Sequence, residues 1–120
     1  MTLLKQDRAR AKYHLTIFVG DLFSPSVISC LTKRSQMITL MNAIGVDAAG
    51  LGNHEFDFGD DVLKQRMMAS KFAWLASNTR GPDGDPFGVA LAVMVQQMGE
   101  LKIGLFSLPT PETSHLSSPG

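Results

Sequence analysis

At 120 residues and 13.0 kDa the chain has the size of one domain or part of one. Eleven basic residues cancel eleven acidic ones, which leaves no excess positive charge for nucleic acid and no acidic tail, and 44% hydrophobic content argues against disorder. The single cysteine, Cys30, excludes an internal disulfide, and no apolar run reaches the roughly 18 residues of a membrane span.

In chain order, the N-terminus is charged and built of helix formers, unlike a signal peptide, and predicts a helix over residues 3–13 that packs through Leu3, Leu4, Ala9 and Ala11. A β-branched and aromatic run, Leu15 to Val19, predicts a strand that stops at Gly20-Asp21. Residues 22–35 are mixed and read as loop. A helix follows over about 36–44, with Met37, Leu40, Met41 and Ile44 on one face. The short apolar run from Gly45 to Leu51 reads as a buried strand, and residues 60–70 read as a helix with Asp60 and Asp61 in its first turn. A third strand is expected over 72–77, ending at Asn78, then a turn-rich loop over 79–88. Two strands, 89–98 and 101–108, are expected around a tight turn at Gly99-Glu100, and 109–120 reads as loop. Helices alternating with strands make this an α/β chain. Met37, Met41, Met67, Met68, Phe58 and Trp74 are expected in its core.

The polar residues concentrate at the second strand end. Gly52-Asn53-His54-Glu55-Phe56-Asp57-Phe58-Gly59 packs an amide, an imidazole and two carboxylates between glycines. Asp21 lies 32 residues before Asn53. A strand, crossover helix and strand need about 30 residues, so both side chains can reach adjacent parallel strand ends, where α/β sheets bind ligands. Carboxylate, amide oxygen and imidazole together suit a hard metal ion with a phosphate ester. Each residue also has a plainer reading: Asp21 as a cap after a strand, Asn53 as a left-handed turn residue, and His54-x-x-Asp57, taken alone, as a structural pair without chemistry.

Val19-Gly20-Asp21, Met41-Asn42-Ala43-Ile44-Gly45-Val46-Asp47 and Gly52-Asn53-His54-Glu55-Phe56-Asp57-Phe58-Gly59 together resemble the calcineurin-like metallophosphoesterases, and within them the 5'-nucleotidases. The similarity continues through Trp74-Leu75-Ala76-Ser77-Asn78 and Ile103 to Thr113. It implies a partial metallophosphoesterase sandwich over residues 1–120, incomplete at both ends, in a metal-dependent phosphoester hydrolase directed at nucleotides. It also implies two divalent ions (manganese, zinc, magnesium, calcium or iron), bridged by Asp21 and ligated by the Asn53 carbonyl oxygen. His54 would stabilise charge beside the phosphoryl group, with Asp57 pairing to the imidazole and fixing its tautomer. Glu55 reads as a loop or supporting group rather than a ligand. Asn78 is a substrate-binding candidate, with a bracing role as the alternative. His14 and His115 match no metal pattern. Relatives of this kind are often periplasmic or extracellular, and the expected partner is a nucleotide or other phosphomonoester, with neither nucleic acid nor membrane.

The pattern departs from the family in its ligands. The resemblance implies an Asp-x-His ahead of Asp21 and further histidines downstream, whereas Asp7-Arg8-Ala9 here is followed by Arg10. Two shared side chains do not close two metal sites, since catalytic metals take about three protein ligands each. The expectation is therefore a chain that is inactive alone and lacks N- and C-terminal segments of the same domain, with an open sheet edge and an uncovered apolar face. A non-catalytic remnant or truncated gene product, or a metal-free nucleotide-binding module, stands as the alternative.

Overall fold

A computed structural model describes residues 2–22 and 31–117. The elements are α1 (Thr2–Arg10), β1 (Ile17–Phe18), α2 (Ser35–Ile44), β2 (Ala48–Gly50), a 3-10 turn (His54–Phe56), α3 (Asp60–Ala69), β3 (Ala73–Leu75), β4 (Met94–Met98), β5 (Leu101–Leu105) and α4 (Thr113–Leu116). The first three strands form a parallel sheet in the order β1-β2-β3, with Ile17 beside Ala48 and Ala48 beside Ala73. Helices α2 and α3 make the two crossovers, which is how parallel neighbours must be joined. Leu91 continues the sheet beyond β3 as a single parallel bridge to Leu75. The hairpin β4-β5 turns at Gly99 and Glu100, with Gly99 at φ 60° against the Tyr13 hydroxyl.

A small residue in β2 lets both helices close on the sheet: Ala48 and Ala49 are fully buried, and Ala49 shares one core cluster with Leu63 and Met67 of α3 and Ile38 and Met41 of α2. Trp74 of β3 is buried and donates its indole N–H to the Ser70 hydroxyl at 3.0 Å. Asn42 joins the helices, giving its amide N–H to the Ala69 carbonyl (3.0 Å) and accepting the Lys71 amide (2.7 Å). Gly45 ends α2 in the left-handed conformation, as a helix C-terminus favours.

Several expectations shift. Leu40 is half exposed and Ile38 is buried in its stead, whereas Met37, Met41 and Ile44 pack against the core as expected, so the apolar stripe of α2 shifts toward Ile38. Met68 is 70% exposed, and Phe58 is only partly buried. Helix α1 stops at Arg10 and buries no residue; it is tied down by Arg8, whose guanidinium donates to the Ile44 and Gly45 carbonyls at 2.6 Å each. Arginine thus answers the orphan carbonyls at the end of α2. The strand expected from Val89 begins only at Met94, because Phe87 and Ala90 turn inward and the chain reaches the sheet through Leu91 alone. The region read as loop after Pro109 contains α4, started by the Thr113 hydroxyl on the Thr110 carbonyl (2.6 Å). Cys30 and most of the loop expected over 22–35 lie outside the described residues, and within that range residues 31 and 32 are helical.

Val19 at the β1 edge is 88% exposed, as are Val95, Phe106 and Leu108 by 64–66% along the hairpin side. No helix among the described residues is long and apolar enough to cross a membrane. Leu63→Ala should cost about 2–5 kcal/mol in urea denaturation, because the side chain is fully enclosed between α3 and the sheet. A loss below about 1 kcal/mol would contradict this packing.

Candidate active site

The loops leaving β1 and β2 cross. Gly20 has φ 97°, and a Cβ there would come within 2.9 Å of the Gly52 nitrogen. A Cβ on Gly52 would run into the Asp21 carboxylate and lie 2.8 Å from its nitrogen. Two glycines therefore permit a backbone approach that no side chain would allow. Asp21 itself is left-handed, at φ 56°.

Glu55 holds this crossing together. Its carboxylate is 2% exposed and accepts three main-chain amides: Asp21 (2.9 Å) and Gly52 (2.6 Å) on Oε2, and Leu22 (2.7 Å) on Oε1. Burial pushes the carboxyl pKa above its ordinary 4.5, against the lowering effect of the three amides, and the nearby Asp21 charge pushes the same way as burial. Glu55 reads in the sequence as a loop or supporting group, and no periodicity marks it as a buried clamp.

The crossing brings Asp21 to the 3-10 turn. Its Oδ1 accepts the His54 amide at 3.2 Å. Asn53 is partly buried and right-handed (φ −72°), which excludes the left-handed turn reading, and its Nδ2 donates to the Leu116 carbonyl of α4 at 3.3 Å. With that nitrogen engaged, the amide oxygen is the atom able to meet a cation. One turn on, His54 Nδ1 lies 2.9 Å from Asp57 Oδ2. A carboxylate only accepts, so Nδ1 carries the proton and Nε2 is the nitrogen left for chemistry. The His54 side chain is 34% exposed and that of Asp57 16%.

Asn78 is not part of this group. It is exposed, and its Nδ2 donates to the Pro109 carbonyl at 2.9 Å, a bracing contact between β3 and the segment before α4. Asn53 lines one cleft of about 350 Å³ with Val19, Gly52 and Ser107, whereas Asn78 lines another with Phe56, Arg80 and Pro111. His14 and His115 are exposed, and the sequence missed Arg34, which is buried against the His54–Asp57 pair. Among the described residues no group of three or more His, Cys, Asp or Glu side chains is placed to hold a metal ion. The Asp21 carboxylate and Asn53 amide oxygen suit a hard divalent cation in kind, but in number they fall short of a closed site.

A scan against protein-family models gives no match. In fold, the chain superimposes on a calcineurin-like phosphoesterase from Bacillus subtilis with a TM-score of 0.78 over 96% of its length, at 20% identity. The 5'-nucleotidase precursor of Thermus thermophilus gives 0.85 over 98% of the chain at 29% identity, and the NAD nucleotidase of Haemophilus influenzae 0.86 over 98% at 27%. The chain thus has the calcineurin-like phosphoesterase fold, and it covers 24% of each of the last two structures. In sequence it is 32% identical to the snake venom 5'-nucleotidase of Gloydius brevicauda over 99% of its length, and 30% identical to the human 5'-nucleotidase over 99%. In sequence it is thus similar to the 5'-nucleotidases, and it spans 21% of the length of those two relatives.

Glu55→Leu should destabilise the chain by at least about 2 kcal/mol in urea denaturation, since three amides lose their acceptor. A change within about 0.5 kcal/mol would contradict the clamp. The raised carboxyl pKa adds a pH dependence. The folded chain holds this proton more tightly than the unfolded one, so the associated stability is full below the ordinary pKa of 4.5 and is lost as pH rises through the raised folded value. Urea midpoints above pH 4.5 should therefore show a downward contribution in the wild type that Glu55→Leu lacks. Parallel curves for the two proteins would contradict the assignment.

Proposed function

We propose that this chain carries part of the active site of a metal-dependent phosphoester hydrolase acting on nucleotides. The observation that supports it best is the crossing of the two loops, where Asp21 meets the His54 amide and His54 meets Asp57 within one short turn. The names of the relatives, 5'-nucleotidases and an NAD nucleotidase, support a nucleotide as the substrate class.

In this reading Asp21 and Asn53 are the chain's contribution to divalent-ion binding, and the ions when bound supply charge neutralisation and an activated water. With a second proton on the ring, His54 acts through Nε2–H, stabilising negative charge on the phosphoryl oxygens and passing that proton to the departing alkoxide, which leaves the ring neutral and protonated at Nδ1. Asp57 holds the imidazole by Nδ1 so that Nε2 faces outward for that work. The short donor set favours a chain that does no hydrolysis by itself.

Grafting residues 1–120 in place of the matching segment of the Thermus thermophilus 5'-nucleotidase tests this directly. The folded graft should release phosphate from AMP with manganese, and His54→Ala should lower the rate about 10²–10⁴-fold. The isolated chain should release none. A folded but inactive graft, or a His54→Ala graft of undiminished rate, would overturn the proposal. Tight AMP binding by the isolated chain without metal would overturn it in favour of a binding module.

A further inference from the structure

We infer that Arg34 is a positioning residue for the His54–Asp57 pair, an inference that rests on the role given to that pair above. Arg34 is 1% exposed, and arginine is almost never so deeply buried unless its charge is answered. Here it is answered from two sides. Nη1 donates to the His54 carbonyl at 2.8 Å, and Nη2 donates to Asp57 Oδ2 at 3.2 Å. The Phe58 ring lies 4.3 Å from the guanidinium carbon and supports its flat face.

One planar fork therefore grips the main chain of the histidine and the side chain of its partner. Asp57 Oδ2 receives both the imidazole Nδ1–H and the guanidinium, which its two lone pairs permit. The distance between imidazole and carboxylate is thus set by a third residue, 20 positions away from His54 in sequence. A lysine ammonium is a single point charge and could not span both acceptors in this geometry.

The turn that delivers Arg34 is itself costly and held from behind. Lys33 and Arg34 both have positive φ, 44° and 66°, a conformation that residues with a Cβ avoid. Arg66 of α3 donates from Nε to the Lys33 carbonyl at 2.8 Å, fixing the turn against the helix. An arginine that only filled space would need neither the strained turn nor the fork onto two atoms of the pair.

The test is the tautomer of His54, read from the ring ¹⁵N signals of the chain labelled in histidine, at a pH where the ring is neutral. In the wild type the two ring nitrogens should be widely separated, as for a ring protonated at Nδ1. In Arg34→Met that separation should narrow, while the His14 and His115 signals and the amide spectrum stay in place. An unchanged His54 ring in the folded variant would overturn the inference. Should Arg34→Met fail to fold, Arg34→Lys decides: a smaller narrowing supports the inference and an unchanged ring overturns it. Arg66→Met loosens the turn but leaves the fork in place, so it should narrow the separation less than Arg34→Met does, and an equal or larger narrowing there would reduce Arg34 to general support and overturn the role. Asp57→Ala separates the two readings, because an unmoved ring in that variant means the pair itself is wrong, whatever Arg34 does.

Discussion

The buried carboxylate of Glu55 is the constraint on which the site depends. By accepting the amides of Asp21, Leu22 and Gly52 it joins two peptide segments that the sequence separates by about thirty residues. Without it, a left-handed Asp21 and two touching backbones would be held across the crossing by little more than the His54 amide on Asp21. Burying that charge is unfavourable, as the raised pKa records, and three short amide bonds offset the penalty. A carboxyl group is well suited here, because its two oxygens receive donors from both loops at once.

Around that clamp the rest of the fold supplies rigidity. The parallel strands β1 and β2 place both loops at the same end of the sheet, and Ala49 of β2 lets α2 and α3 pack tightly behind them. Asn42 ties one crossover helix to the end of the other, and Arg8 closes the end of α2. On the far side α4 reaches back through the Leu116 carbonyl to the Asn53 amide. The polar residues of the central string thus divide in kind: Asn53, His54 and Asp57 are partly exposed, and Glu55 is turned inward to hold the two loops together.

Much of this was legible in the sequence, and the failures have physical causes. The strands ahead of Gly20-Asp21 and Gly52 could be read because β-branched or small apolar runs stop there at glycine, although both are shorter than the runs suggest, and the helix read over about 36–44 showed in its periodicity. That Ile38 rather than Leu40 is buried on α2 was not legible, since the two are equally apolar and tertiary packing chooses between them. Glu55 and Arg34 were hidden more deeply. Charged residues read as solvent-exposed, and what buries these two is a set of partners up to 34 residues away, invisible to local pattern. The short helix α4 escaped because a single turn fixed by Thr and Ser hydroxyls has no period to detect.

The central claim is that Asp21 and Asn53 face one cation from two loops, and paramagnetic broadening by manganese tests it most directly. Titrated into the ¹⁵N-labelled chain, even weakly bound manganese should broaden the amides of residues 20–22 and 52–54 together, and Asp21→Asn should abolish both effects. Broadening of one loop without the other, or broadening centred instead on Asp60 and Asp61, would contradict the account.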